Sequence, residues 1–236
     1  MNKNYEKIVS LVCNTLVEAG STFREDKKKA YKRAIASEDN EKAKWVLETV
    51  LANVEAAEKN HSPLCDDTGI PHIVLEIGPD AAVTGRMLDA IREGIAKGLR
   101  KLPGRPMGIM GDDCRRIDQS GGLNPDSAGV EPAPILIRRC QDNVIRLHIL
   151  MFGGGPAIRA KTYRVFHKHN MQVVLDEIVN WATEGVAQLG CSPCTLAVGV
   201  GRSHFEATSM MLQAQVDGRY DLQSEMEQEI TRRVNE

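Results

Sequence analysis

Residues whose types could do chemistry gather in three short stretches of this sequence, each where regular structure is expected to stop. In Cys65-Asp66-Asp67-Thr68-Gly69 a thiol stands beside two carboxylates and a turn glycine. Deprotonated, the thiol is a soft metal ligand, and a carboxylate can take up or return a proton. The plainer interpretation is an Asp-Gly-type turn beside a buried cysteine. Gly153-Gly154-Gly155 follows an apolar run; three glycines let successive amides approach an anion, or simply allow a tight bend. The run matches neither a P-loop nor a dinucleotide fingerprint, which argues against a nucleotide phosphate. Cys191-Ser192-Pro193-Cys194 is a CxxC pair, a spacing shared by zinc sites, iron–sulfur clusters and redox dithiols. Zinc wants a second closely spaced ligand pair, and the sequence has none. A redox dithiol belongs at a helix start after a strand, whereas the order expected here is helix, CxxC, strand. Iron–sulfur ligation by thiolates from separate loops fits better, with Cys65 as the remote partner. The six histidines form no comparable group: only His167 and His169 lie close in sequence.

The elements that must carry these loops can be read from periodicity. The first sixty residues read as helical, with Ile8, Leu11, Val12 and Leu16 on one face, and Trp45, Val46, Thr49, Val50 and Val54 repeating the pattern. The stretch from Pro63 to Pro71 is too rich in turn residues to continue a helix. A short buried strand is expected at Ile73–Gly78, then a helix over about Ala81–Lys101 with Leu88, Ile91, Ile95 and Leu99 in register. Leu102–Pro134, rich in Gly, Pro, Asp and Asn, reads as a long loop of the kind that is functional or disordered. Apolar runs flanking Gln141-Asp142-Asn143 predict a β-hairpin, with Val144, Arg146 and His148 on its polar face. A helix over about Gln172–Leu189, a strand at Thr195–Gly201, a helix after His204 and a last helix over Leu222–Val234 complete the chain. The fold class is mixed α/β (α+β): a helical N-terminus followed by a mixed sheet flanked by helices. One domain is expected over residues 1–236, comprising a helical region 1–60, loops on the sheet over 61–215, and a C-terminal helical segment 216–236.

Composition narrows the partners. The 236 residues are 42% hydrophobic and 26% charged, with a net charge of −2. Such a balance provides no basic field to gather nucleic acid, and the run Lys27–Lys29 reads as a solvated helix face. No apolar stretch approaches the ~20 residues a membrane span needs. The N-terminus reads as an amphipathic helix and not as a signal peptide. Six cysteines without a signal argue for thiols, ligands or catalytic groups and against a disulfide framework. The expected location is cytoplasmic.

At the three loops the sequence resembles the alpha-subunit family of iron–sulfur hydro-lyases, which comprises class I fumarases and L-tartrate dehydratases. The family's first ligand loop is Cys-(Gln/Asp)-Asp-Thr-Gly after a helix; here it is AAEKNHSPLCDDTG. Its glycine-rich loop corresponds to GGGPAIRAK, matched at the glycines but not at the family's serine and asparagine. Its second ligand loop corresponds to CSPCTLAVGVGRSHFE, which keeps Cys191, Pro193, Gly201 and Glu206 in register. The resemblance runs from about residue 40 to residue 215.

This resemblance implies a 4Fe–4S cluster held by three thiolates, with one iron left open as a Lewis acid toward the substrate hydroxyl. Cys65 and Cys191 take two ligand positions. The family's third cysteine lies in a segment that this chain, ending at Glu236, does not reach; a shortened chain, a ligand from another subunit, substitution by Cys194, or loss of the cluster would each account for that. Asp67 matches the proton-transferring aspartate. Asp66 stands where fumarases carry a substrate-contacting glutamine, where it would repel a dicarboxylate unless protonated or paired. Arg105 takes the carboxylate-binding position, and Gly155 would line the substrate site through its backbone. The implied activity is reversible hydration of a small hydroxy-dicarboxylate, such as malate/fumarate or tartrate, by an alpha subunit that acts with a beta subunit and dimerises. The rivals are a diverged paralogue using a different metal at Cys65, Cys191 and Cys194, and a non-catalytic subunit that binds a partner or a small acid.

Overall fold

A computed structural model describes residues 3–102, 104–105, 108–154, 160–188 and 193–236. The helical N-terminus consists of α1 (Lys3–Ser21), α2 (Glu25–Ser37) and α3 (Glu41–Asn60). In α1 the buried residues are Val9, Val12, Leu16 and Val17, spaced as one stripe of a 3.6-residue helix. Leu11, expected on that stripe, is 56% exposed, and Trp45 of α3 is 63% exposed. Each lies one or two positions off the face that its helix buries, and large apolar residues are common on protein surfaces.

The chain packs as two compact units, one formed by residues 1–23 and 49–154, the other by 24–48 and 155–236. The first holds the sheet. Its strands are β1 (Ile70–Ile77), β2 (Leu136–Arg139) and β3 (Ile145–Phe152), in the order β2-β1-β3. Helix α4 (Gly85–Lys101) starts where the Thr84 side chain accepts from the Met87 amide and presents Ile91, Ile95 and Leu99 to the core. Those residues pack with Val12, Leu16 and Val17 of α1 and with Ile73, Leu75 and Ile149 of the sheet, and Leu102 closes the core just past the end of α4. The long loop after Leu102 contains a short helix, α5 (Asp113–Asp118), and one 3-10 turn at Ser127–Gly129.

The sheet overturns one expectation: β2 and β3 do not pair as a hairpin. β1 lies between them, parallel to β2 and antiparallel to β3. The connection passes over the end of β1, where Cys140 N donates to Ile77 O at 3.1 Å and Gly78 N donates to Val144 O at 2.9 Å. The physical reason lies in charge. A hairpin turning at Gln141–Asn143 would set Arg138 directly opposite Arg146, a destabilising cross-strand pair. In the structure each arginine lies opposite Glu76 of β1. Arg138 and Arg146 both bond its carboxylate, Arg146 at 2.5 Å, and His148 Nε2 stands 3.6 Å away. Burial would raise the Glu76 carboxyl, but hydrogen bonds from the two arginines, the Arg138 charge and His148 outweigh it and hold the pKa at about 2.

The second unit contains α2, α6 (Met171–Ala187), α7 (His204–Asp217) and α8 (Glu225–Asn235). Leu175, Ile178 and Val179 of α6 bury against Ile230 of α8, and Arg233 ties the same helices together through Asp176 at 2.8 Å. Ser224 and Glu227 cap α8 reciprocally. The Arg24 guanidinium donates to the carbonyls of Gln215, Val216 and Gly218 at the end of α7. The expected strand at Thr195–Gly201 does not form. No described strand of this unit offers it a pairing edge, and Leu196 and Val200 are 44% and 61% exposed. No described helix is long and apolar enough to cross a membrane.

Candidate functional site

The Cys65–Gly69 loop is fixed by its own main chain and by its neighbours. At its start, Leu64 N donates to Gly20 O of α1, and Asn53 Nδ2 of α3 donates to Leu64 O. Inside the loop, Thr68 Oγ1 donates to Cys65 O at 3.1 Å and Thr68 N to Asp66 O at 3.0 Å. Gly69 then adopts φ +95°, and a Cβ there would lie 1.8 Å from Phe152 O of β3. Only glycine satisfies both conditions. The loop is therefore pressed against the end of β3, where the glycine run begins.

Around this loop the structure gathers several of the expected residues. Arg105 N donates to Asp66 O at 2.9 Å. The Arg105 guanidinium lies 3.9 Å (Nε) from Asp66 Oδ2 and 3.7 Å (Nη2) from Asp67 Oδ1. Both contacts are longer than a well-formed charged hydrogen bond. The Arg105 side chain is half exposed, Asp66 is mostly exposed, and Asp67 is largely covered at 25%. The Asp67 carboxylate lies over Gly153: a Cβ on that glycine would come within 3.1 Å of Asp67 Oδ2. A cleft beside Arg105 is lined by Thr68, Gly69, Leu99, Leu102, Gly104 and Val130. The arrangement combines a sheltered proton acceptor, a guanidinium able to receive a carboxylate, and a thiol on one rigid turn.

The Cys65 thiol is free and exposed, so its donor chemistry fits one thiolate of an iron–sulfur cluster. Cys194 is a second free, exposed cysteine, and partial burial pushes its thiol above the ordinary value. Cys191 and Gly155 lie outside the described residues. Among the described residues no group of three His, Cys, Asp or Glu side chains is arranged to hold a metal ion. Sequence reasoning missed Gly104 and its contact with Thr68. A Cβ on Gly104 would fall 2.0 Å from Thr68 Oγ1, so these two are in contact although 36 positions separate them in the chain. The only trace in the sequence is a glycine directly before Arg105.

A mixed α/β unit that displays a thiol, two carboxylates and a guanidinium at the end of its sheet defines a candidate site for acid/base work on a carboxylate. The wider comparison then places the chain: it belongs to the fumarate hydratase (fumerase) family, whose profile matches residues 9–236. It is 27% identical over 198 residues to a Methanocaldococcus jannaschii protein provisionally named L(+)-tartrate dehydratase subunit alpha, covering 83% of this chain and 66% of that one. It is 24% identical over 156 residues to a Geobacillus stearothermophilus protein provisionally named fumarate hydratase class I, covering 66% of this chain and 28% of that one. The aligned region thus falls short of the full length of both relatives.

Proposed function

We propose that this chain is the alpha-type part of an iron–sulfur hydro-lyase that adds or removes water across a small hydroxy-dicarboxylate, acting with a beta-type partner. Family membership supports the hydro-lyase class, and the name of the M. jannaschii relative supports a partner subunit. The observation that carries the reading is the meeting of Asp66, Asp67, Arg105 and Gly153 at the Cys65 loop.

The geometry supports the following roles. Arg105 binds one substrate carboxylate, because a guanidinium fork matches it with two donors. Asp67, the better covered of the two carboxylates, takes the proton from the carbon next to the hydroxyl-bearing one during dehydration and returns it during hydration. Asp66 would repel a dicarboxylate, and its contact with Arg105 offsets that charge. Gly155 follows Gly153 and would line the site through its backbone. A 4Fe–4S cluster held by Cys65, Cys191 and a third thiolate, for which Cys194 is the candidate in this chain, would supply Lewis acidity toward the substrate hydroxyl.

The test is anaerobic reconstitution of the full chain, with and without its partner subunit, followed by iron and sulfide quantification and turnover assays with malate and tartrate. A brown protein with about four irons per site that dehydrates one of these acids is expected. Colourless, iron-free protein would remove the cluster and leave a small-acid-binding subunit. Cys65→Ser should abolish the colour.

A further inference from the structure

We infer that Gly104 is the positioning residue for Arg105, through a latch on the Cys65–Gly69 loop; this rests on the reading of Arg105 as the carboxylate receptor. Gly104 and Arg105 belong to the segment that follows α4 and would otherwise have no fixed relation to the loop. Two contacts create one. Arg105 N donates to Asp66 O at 2.9 Å, and that same carbonyl also accepts from Thr68 N at 3.0 Å. Gly104 lies so close to Thr68 that a Cβ would sit 2.0 Å from Oγ1 and 2.9 Å from the Thr68 Cβ. Rotating Thr68 would break the hydrogen bond that its Oγ1 donates to Cys65 O at 3.1 Å and would still leave the Thr68 Cβ in the way. Absence of a side chain at position 104 is therefore what lets the Arg105 amide reach Asp66 O. With that amide in place, the guanidinium comes to rest over the two carboxylates, 3.9 Å from Asp66 Oδ2 and 3.7 Å from Asp67 Oδ1.

The side-chain contacts are too long to hold Arg105 by themselves, and an exposed ion pair contributes little. The main-chain hydrogen bond and the close approach at Gly104 set the position instead. Binding needs such pre-organisation, since a guanidinium that must first be ordered spends part of its interaction energy on lost rotamer freedom.

Gly104→Ala in the full chain tests this in two ways. Arg105 is followed by peptide mass spectrometry during phenylglyoxal modification, which requires no turnover. Release from the latch should speed its modification about tenfold relative to wild type, an effect equivalent to losing one net hydrogen bond. In the reconstituted enzyme, KM for the dicarboxylate should rise about tenfold with kcat within a few-fold, as expected when ground-state and transition-state binding are lost alike. Arg105→Lys should then add little in the Gly104→Ala background. Thr68→Gly/Gly104→Ala, compared with Thr68→Gly alone, removes the Thr68 atoms that the new Cβ would meet and keeps the test open if the single variant does not fold; Arg105 should return to slow modification. Unchanged modification in Gly104→Ala, persistent fast modification in the double variant, or additive effects of the alanine and lysine substitutions would each overturn the inference. A wild-type enzyme that turns over no hydroxy-dicarboxylate would sink the hydro-lyase reading, while the modification rates would still decide the latch.

Discussion

Asp66 and Asp67 are adjacent in sequence and different in setting. Asp67 lies against the Gly153 backbone with a quarter of its side chain exposed, while Asp66 is 79% exposed. A proton acceptor works best when sheltered and held, which favours Asp67 for proton transfer. Asp67→Asn should remove dehydration while leaving the iron–sulfur absorption intact; turnover retained in this variant would exclude Asp67 as the base. Arg105→Ala should weaken substrate binding by about 1.5–3 kcal/mol, the range for a hydrogen bond to a charged group, the half-exposed setting keeping it below a buried pair. Equal affinity by calorimetry would exclude Arg105 as the receptor. In the sequence the loop motif was legible because its residues are contiguous. The choice of Gly153 as the backbone beneath Asp67, and the contact between Gly104 and Thr68, were not legible, because they join segments far apart along the chain.

Glu76 organises the sheet, since it gives β1 a charge that draws one arginine from each neighbouring strand. Its folded pKa of about 2 lies below the ordinary 4.5, so its stabilising effect is complete above pH 4.5 and is lost as pH falls toward 2. Glu76→Gln should therefore lower the urea midpoint at pH 7, and the gap from wild type should narrow steadily below pH 4.5. A gap that stays constant down to pH 2.5 would mean that the carboxylate charge is not what stabilises this sheet. Leu16 is fully buried between α1 and the core, and Leu16→Ala should cost about 2–5 kcal/mol in equilibrium unfolding. The strand order escaped sequence reading for a definite reason: a turn signal such as Gln141-Asp142-Asn143 reports a local reversal, whereas strand pairing depends on which partner offers the complementary charge. The absence of a strand at Thr195–Gly201 has a related cause, since alternation marks a segment able to pair but does not supply an edge to pair with.

At the scale of the whole molecule, Cys65 belongs to one compact unit and Cys194 to the other. Cys191→Ser should abolish the reconstituted colour. Cys194→Ser should do so only if it provides the third thiolate; full colour in that variant, with stoichiometric iron, would assign the third ligand elsewhere. What the sequence by itself determined is the mixed α/β class, the helical N-terminus, the core stripes of α1 and α4, the family and the thiol–carboxylate loop. Each of these is written in local spacing or in contiguous residues, which the chain states without help from its fold. The tertiary structure alone decided that β1 separates β2 from β3, that Gly69 lies against Phe152, and that Arg105 reaches Asp66 past Gly104. These depend on excluded volume and charge between segments dozens of residues apart, and no local pattern encodes such distances.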